Sequence, residues 1–412
     1  MVTYPSDWEE TELKDICSYV NGTSLEEFFS HYGERRVVSL GNYSETGKYI
    51  DDGNRICLNE KTRRFTLEKN NLAMVLNDKG NGRLVGRVLL IDYDNTYIFN
   101  QRSLRIILNE SETYPQYMYF LINSNIYRND LTKHIQGNTQ VYINPPAAMS
   151  IEVHLPPLSE QQAIASVLSD IDEHIDNLTE LIEKKKAIRD GALEDLISGM
   201  TRLEGFHGDW TTLPFGQYFS MLPTNTYSRE QLSDSGEIGN IHYGDVLIKY
   251  GCVLSENDCI PRVIDTSKLN AKHYLRKNDV IIADTAEDDT VGKAVQVGEI
   301  GMPLVSGLHT MACRPNYPTA DGFLGYYINS NCYHDQLLPY ITGIKVSSIS
   351  KKAIGDTFIR IPMDIKEQET ISSVLTVMDE EIEALEEEKA KMIGIKEGAM
   401  DDLLTGRVRL KV

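Results

Sequence analysis

Apolar residues recur in two long stretches of this chain at alternating intervals of four and three. In the first stretch they are Ile164, Leu168, Ile171, Ile175, Leu178 and Ile182. In the second, Ile371, Leu375, Met378, Ile382 and Leu385 keep the same rhythm. A mean period of about 3.5 is the signature of helices packed lengthwise along a seam. The positions between are heavily charged, so each stretch predicts a long helix whose apolar stripe needs a partner. The cheapest partner for each is the other, which predicts an intramolecular coiled-coil pair of long helices; the alternative is that each helix packs on its own domain. About 40 residues at 1.5 Å each give roughly 60 Å per helix. Ser159 with Gln162 suits a capping box at the start of the first helix. Gly199 and Gly406 are placed as helix stops. The rest of the chain has a shorter rhythm. LAMVL from Leu72, GRVLLID from Gly86, YIFN from Tyr97 and LRIIL from Leu104 read as strands, with DVIIAD from Asp279 and GKAVQV from Gly292 as counterparts. Tyr117 to Gly137 carries Met118, Leu121, Ile122 and Ile126 at helical spacing and predicts a helix crossing a sheet. The fold class expected is α+β.

The two halves repeat one another. INSNIY at Ile122 and INSNCY at Ile328 match in five of six letters at an offset of 206. The match runs outward through the helical stretches to SGMTRL at Ser198 over TGRVRL at Thr405, after one inserted residue. The only two tryptophans, Trp8 and Trp210, fall at corresponding places. A period near 200 residues is a duplicated domain with its helix rather than a solenoid unit. The expected organisation is a domain over 1–157, a helix over 158–200, a second domain over 201–363, and a second helix with a tail over 364–412. Because both copies keep INSN, it reads as scaffold, a helix end or turn with Tyr127 and Tyr333 packed beneath.

Composition is ordinary for a globular protein, with 41 % apolar and 25 % charged residues. No apolar run approaches membrane-spanning length. The N-terminal stretch is acidic and unlike a signal peptide, which predicts a cytoplasmic protein. Six scattered cysteines without a C-x-x-C predict free thiols. The net charge of −20 argues against a nucleic-acid partner if taken whole. Its distribution changes that: residues 158–200 carry −6 and residues 364–404 carry −9, so most of it sits on the predicted helices. The acidic helical faces suit a solvated coiled-coil exterior or docked protein partners. Local basic candidates in the domains are Arg63-Arg64, Arg83 with Arg87, Arg102 with Arg105, Lys272 with Arg276-Lys277, and Lys351-Lys352.

Catalytic motifs fail one by one. NPPA at Asn144 lacks the aromatic that would stack on a flipped base, and no Gly-rich cofactor loop precedes it, so it reads as a turn. GNYSETGKY at Gly41 has the wrong spacing for a phosphate loop and Tyr49 where Ser or Thr would hold magnesium. The nine histidines form no H-x-x-x-H pair, and no G-x-S-x-G occurs. The chain is expected to catalyse nothing by itself.

LPPLSEQQAI with the long helix ending in LISGMTRL, and KEQETI with the helix ending in LLTGRVRL, resemble the specificity subunits of type I restriction–modification systems. EIGNIHYGDVLIKYG at Glu237 is similar to the opening of many recognition domains in that family. The second copy departs slightly, with IPMDIKEQ in place of the more usual Pro-x-Leu-x-Glu-Gln. The resemblance implies two target-recognition domains separated by two antiparallel helices with pseudo-twofold symmetry. It implies double-stranded DNA as ligand, read as a split site, one half per domain. It implies two methyltransferase subunits and restriction/translocase subunits as partners. No cofactor is then expected in this chain, with S-adenosylmethionine, ATP and Mg2+ belonging to the partners. A coiled-coil adaptor with two protein-binding domains and no DNA role is the alternative. A fused recognition and modification enzyme lacks its motifs.

Base-reading side chains are expected on polar loops that follow buried strands. In the first copy these are Asn77 to Arg83, with Lys79 and Arg83, and the stretch after Gly137, with Asn138, Thr139 and Gln140. In the second copy they are Asp284 to Lys293, with Thr285 and Lys293, and the stretch after Gly343, with Lys345, Ser347 and Ser348.

Overall fold

The computed structural model describes residues 3–411 apart from 81, 139, 289 and 344. Two compact units divide the chain: residues 1–179 with 387–412, and residues 180–386. Each is mixed α+β, and the two are built alike.

In the first unit, the strands Cys17–Asn21, Ser103–Leu108, Leu72–Val75 and Val88–Leu90 form an antiparallel sheet in that order. The second unit repeats it with Phe219–Leu222, Thr310–Pro315, Val280–Ala283 and Ala294–Val297, and adds Val253–Leu254 as a fifth strand. Every residue of Leu72–Val75 and of Val280–Ala283 is buried, which is why both read as continuous apolar runs. A smaller four-stranded sheet accompanies each, built on Arg35–Val38 in one and Ile238–Ile241 in the other. The start and end of each domain are tied as a ribbon, Glu9–Glu12 with Glu152–Leu155 and Trp210–Pro214 with Phe358–Pro362.

The predicted crossing helix is two helices, Pro115–Asn123 and Asn125–Thr132. The break is chemical. The Ser124 hydroxyl donates to the Leu121 carbonyl (2.6 Å) and accepts from the Tyr127 N–H (3.3 Å), closing one helix and capping the next. Tyr127 and Tyr333 are buried beneath the two copies of the motif. Asn123 explains the rest of INSN. Its amide donates to the Val88 carbonyl (3.0 Å) and accepts from the Val88 N–H (3.2 Å), pairing with an edge strand as a neighbouring strand would. Asn329 makes the same two bonds at Ala294, at 2.7 and 2.9 Å, where the second unit's Ala294–Val297 strand begins. Losing such an amide would leave buried backbone groups unpaired, at a cost of about 1–3 kcal/mol. NPPA is not a turn: Pro145–Met149 is a short helix, because proline with its missing N–H is tolerated in a first helical turn.

The long helices are Leu158–Ser198, 41 residues, and Ile365–Leu403, 39 residues. Gly199 (φ +71°) and Gly406 (φ +69°) follow their ends in the left-handed conformation expected of helix stops. The capping box does not form. The helix already begins at Leu158, which puts Ser159 inside its first turn, and no Ser159 capping bond occurs among the described residues.

The seam divides its work. Ile164 and Leu168 join the core of the first domain, together with Leu403 and Leu404 from the end of the second helix. Ile371 and Leu375 join the core of the second domain, with Leu193, Leu196 and Ile197 from the end of the first helix. Leu178 and Ile382 are buried, whereas Ile171, Ile175, Met378 and Leu385 are only half-buried. Each domain core is therefore completed by the start of one helix and the end of the other. Within each unit the helical segments run antiparallel, as successive pairs show: Asp172 with Lys396 (2.6 Å) and His174 with Glu388 (3.3 Å) in the first, and Lys185 with Glu381 (2.5 Å) and Arg189 with Asp379 (2.8 Å) in the second. The Asp172–Lys396 and Arg189–Asp379 pairs are equivalent under the repeat, and each of their cations also lies over an aromatic ring, Lys396 over Phe120 and Arg189 over Tyr326.

The Glu-Gln dipeptide at each helix start is a clasp. Gln161 accepts from the Tyr114 N–H and donates to the carbonyls of Glu112 and Pro156, at 2.8 to 3.0 Å. Gln368 accepts from the Ala320 N–H (3.0 Å) and donates to the Pro362 carbonyl (2.7 Å). Beside them, buried Glu160 takes a two-bond grip from Arg409 (2.7 and 2.8 Å), and buried Glu367 takes the same from Arg202 (2.6 and 2.9 Å). The arginine just past the end of one helix thus fastens the start of the other. The two tryptophans complete the joints: Arg409 lies over the Trp8 ring, and Arg202 and Arg360 lie over Trp210.

Candidate nucleic-acid interface

The candidate loops, far apart in sequence, meet in each unit. Asn77–Asp78 pairs antiparallel with Val141–Tyr142, and Thr285–Ala286 pairs with Ser347–Ser348. The loop from Asn77 to Arg83 therefore lies beside the stretch after Gly137, and the loop from Asp284 beside the stretch after Gly343. Backbone bonds fix both ribbons to the sheet in the same way. Leu76 donates to Arg102 and receives from Ile143 (2.8 and 2.9 Å); Asp284 donates to His309 and receives from Ile349 (3.1 and 2.9 Å).

Each ribbon ends in a tight loop closed across Gln136 and Tyr142, or across Thr342 and Ser348. The paired glycines make it possible. Gly137 (φ +92°) and Gly343 (φ +125°) have left-handed backbones, and an added Cβ would stand 2.2 Å from the Gln140 carbonyl oxygen or 1.9 Å from that of Val346. The neighbouring loop is shaped by buried Asp78, whose carboxylate accepts from the Gly80 N–H (3.0 Å).

On this frame Lys79, Asn138, Gln140 and Lys345 are exposed. Arg83 is exposed and reaches Glu45 at 3.5 Å. Thr139 lies outside the described residues. Thr285 is half-buried and donates to the Asp284 carboxylate (2.8 Å), with His309 Nδ1 at 3.4 Å from its hydroxyl. Ser347 and Ser348 are half-buried within the ribbon. Lys293 is turned inward: its ammonium donates to the Leu247 carbonyl (2.9 Å), and burial lowers its pKa. It is spent on holding a neighbouring helix.

Several basic candidates are likewise internal. Arg87 donates to the Asn123 carbonyl (2.7 Å), and Arg105 to the Thr66 carbonyl and Glu68. Arg128, pushed down to about 10 by burial, props the first loop through the carbonyls of Arg83 and Val85. Tyr142 and Val346 are also exposed at the ribbon tips, and as apolar or aromatic residues they carry no polar-loop signal in the sequence. Among the described residues, no cluster of His, Cys, Asp and Glu could hold a metal, and no helix is long and apolar enough to cross a membrane. The six cysteines are free thiols.

Known proteins show the same organisation. Residues 5–187 match a family model described as the type I restriction modification DNA specificity domain. The MjaX type I restriction enzyme specificity subunit of Methanocaldococcus jannaschii is 24 % identical over 99 % of this chain and 95 % of its own length. Along nearly its whole length, the chain is similar to a type I specificity subunit. A second relative from the same organism, the MjaVIII specificity subunit, is 29 % identical over 44 % of this chain and 42 % of its own. In fold, the chain is similar to the type I system S subunit from M. genitalium, with a TM-score of 0.60, 17 % identity and 96 % of each chain covered. A chain from a study of type I complex assembly and conformational transition gives a TM-score of 0.57 at 14 % identity, covering 99 % of this chain and 100 % of that one. The internal duplication fits the extent of the family match, which ends inside the first long helix.

Proposed function

We propose that this chain is a type I specificity subunit that reads a split site in double-stranded DNA, one half per unit, through the paired loop clusters. The observation that carries this reading is a duplicated frame with unlike chemistry at its tips. The same hydrogen bonds hold both ribbons, yet one presents Lys79, Arg83, Asn138 and Gln140 and the other Thr285, Lys345 and the two serines. Two readers of different half-sites need a common scaffold and different contact residues. A two-stranded ribbon with a tight tip has the dimensions to enter the major groove, about 12 Å wide. The lysines and Arg83 provide phosphate contacts that set register, while amide and hydroxyl groups address base edges.

The chain supplies sequence choice and no chemistry. Two methyltransferase subunits carry S-adenosylmethionine to an adenine in each half, and restriction/translocase subunits carry ATP and Mg2+. The complex works in the cytoplasm. Acidic helical faces suit docked proteins and repel phosphate, so the partners supply much of the backbone grip.

Fluorescence anisotropy on labelled duplexes tests this. The chain alone is expected to bind weakly. With its methyltransferase partners it is expected to bind a duplex carrying the site at least ~10³-fold tighter than a scrambled one. Affinity should fall steeply as salt rises, by roughly 0.9 in log K per log salt for each phosphate neutralised. Equal affinity for site and scrambled duplex in the presence of partners would overturn the reading.

A further inference from the structure

Among the described residues, the non-glycine positions with left-handed backbone are Asn70, Asn95, Arg102, Asn278 and His309. The asparagines need no explanation, because a short amide side chain can bond locally in that conformation. Arg102 (φ +68°) and His309 (φ +56°) are different. Each immediately precedes an equivalent strand, Ser103–Leu108 or Thr310–Pro315, and each carbonyl accepts the equivalent bond from the residue just before the loop ribbon, Leu76 or Asp284. The backbone has one job in both units. Glycine would do that job with less strain. A large polar side chain has nevertheless been kept at both places, and it is not the same one.

The surroundings point the same way. The half-buried Arg102 guanidinium makes no hydrogen bond or ion pair among the described residues. Asn77, on the adjoining ribbon strand, leaves its buried Oδ1 without a partner. In the second unit, His309 Nδ1 lies 3.4 Å from both the Thr285 hydroxyl and the Asp284 carboxylate, and its ring meets Tyr243 edge-on at 5.4 Å. Both side chains therefore stand at the base of a reading ribbon, on a backbone strained to put them there. Strain held at the foot of a binding loop is the pattern of a pre-organised contact residue.

We infer that Arg102 and His309 are specificity-determining residues, each reading one base pair in its own half of the split site. The inference rests on the DNA-reading role proposed above and adds a pair of residues to it. Arg102 offers a planar fork of donors that matches the two acceptors of a guanine edge in the major groove. His309 offers one ring nitrogen to the groove while the other stays with Thr285 and Asp284.

The test maps methylated adenines in cells carrying the complete system with wild-type chain, with Arg102→Gly, with His309→Gly, and with no chain. Glycine suits a left-handed backbone, so neither variant should melt below the wild type. Each variant is expected to make one position degenerate in one half of the methylated motif, by tenfold or more, and to leave the other half unchanged; Arg102→Gly should release a guanine. Both motifs remaining as stringent as the wild type, while deleting the chain abolishes methylation, would overturn this inference alone. A motif that survives deletion of the chain would overturn the DNA-reading role beneath it as well.

Discussion

Alanine at Lys79, Arg83, Gln140, Thr285 and Lys345 together is expected to abolish site-specific methylation while leaving subunit assembly intact. The five belong to the two loop clusters, and the side chains of Lys79, Gln140 and Lys345 point to solvent. The frame beneath them rests on backbone bonds and on Asp78, Arg128 and the glycine pair, none of which is altered. A good base contact is worth about 1–3 kcal/mol of discrimination, so losing several per half brings specific binding to the non-specific level, a drop of at least ~10³. Thermal melting and co-purification with the methyltransferase should match the wild type. Unchanged methylation would remove these loops from the interface. Lys293 belongs in the control set: its ammonium is bound to the Leu247 carbonyl, so Lys293→Ala should loosen the second domain without broadening the motif.

Removing the clasp has the largest expected effect on stability. Arg202→Ala is expected to destabilise the second unit by about 3 kcal/mol, because Glu367 is left as a buried carboxylate without its cation. For a unit of this size that is on the order of 8 °C in melting temperature. The sign can be checked within the same pair. Adding Glu367→Gln to Arg202→Ala removes the stranded charge and should recover part of the loss, while Trp210 Nε1, at 3.3 Å, keeps an acceptor. Urea denaturation of the single and double variants measures both. A loss below ~0.5 kcal/mol in Arg202→Ala would mean that water already screens the pair.

Periodicity made the helices legible, because a 3.5-residue apolar rhythm has few other causes. It could not say which stretch of a seam meets what. Ile164, Leu168, Ile371 and Leu375 satisfy the heptad rule and yet lie in the domain cores, since an apolar stripe is blind to the surface that covers it. The candidate loops were legible in part. Buried strands followed by glycine-rich polar stretches marked them, and the repeat showed that they differ. Their meeting across 60 or so residues is a matter of strand pairing, which no local pattern carries. Two features had no sequence signal for the place they take in the fold. Glu160 and Glu367 look like surface charge in a charged helix, and only the fold brings Arg409 and Arg202 to them. Arg102 showed only as half of a common basic doublet with Arg105 and His309 as a lone histidine, and nothing in the sequence links the two until their backbone angles are known. The Asn-Ser-Asn motif went the other way. The repeat marked it as scaffold, and the structure gives the reason, a paired strand edge and a helix junction.

The central claim is that this chain chooses where a type I system methylates. Mapping methylated adenines across the genome, with and without this chain, addresses it directly. One split motif, with a methylated adenine in each half, should be present with the chain and vanish without it. Every methylated motif persisting in the absence of the chain would contradict the account.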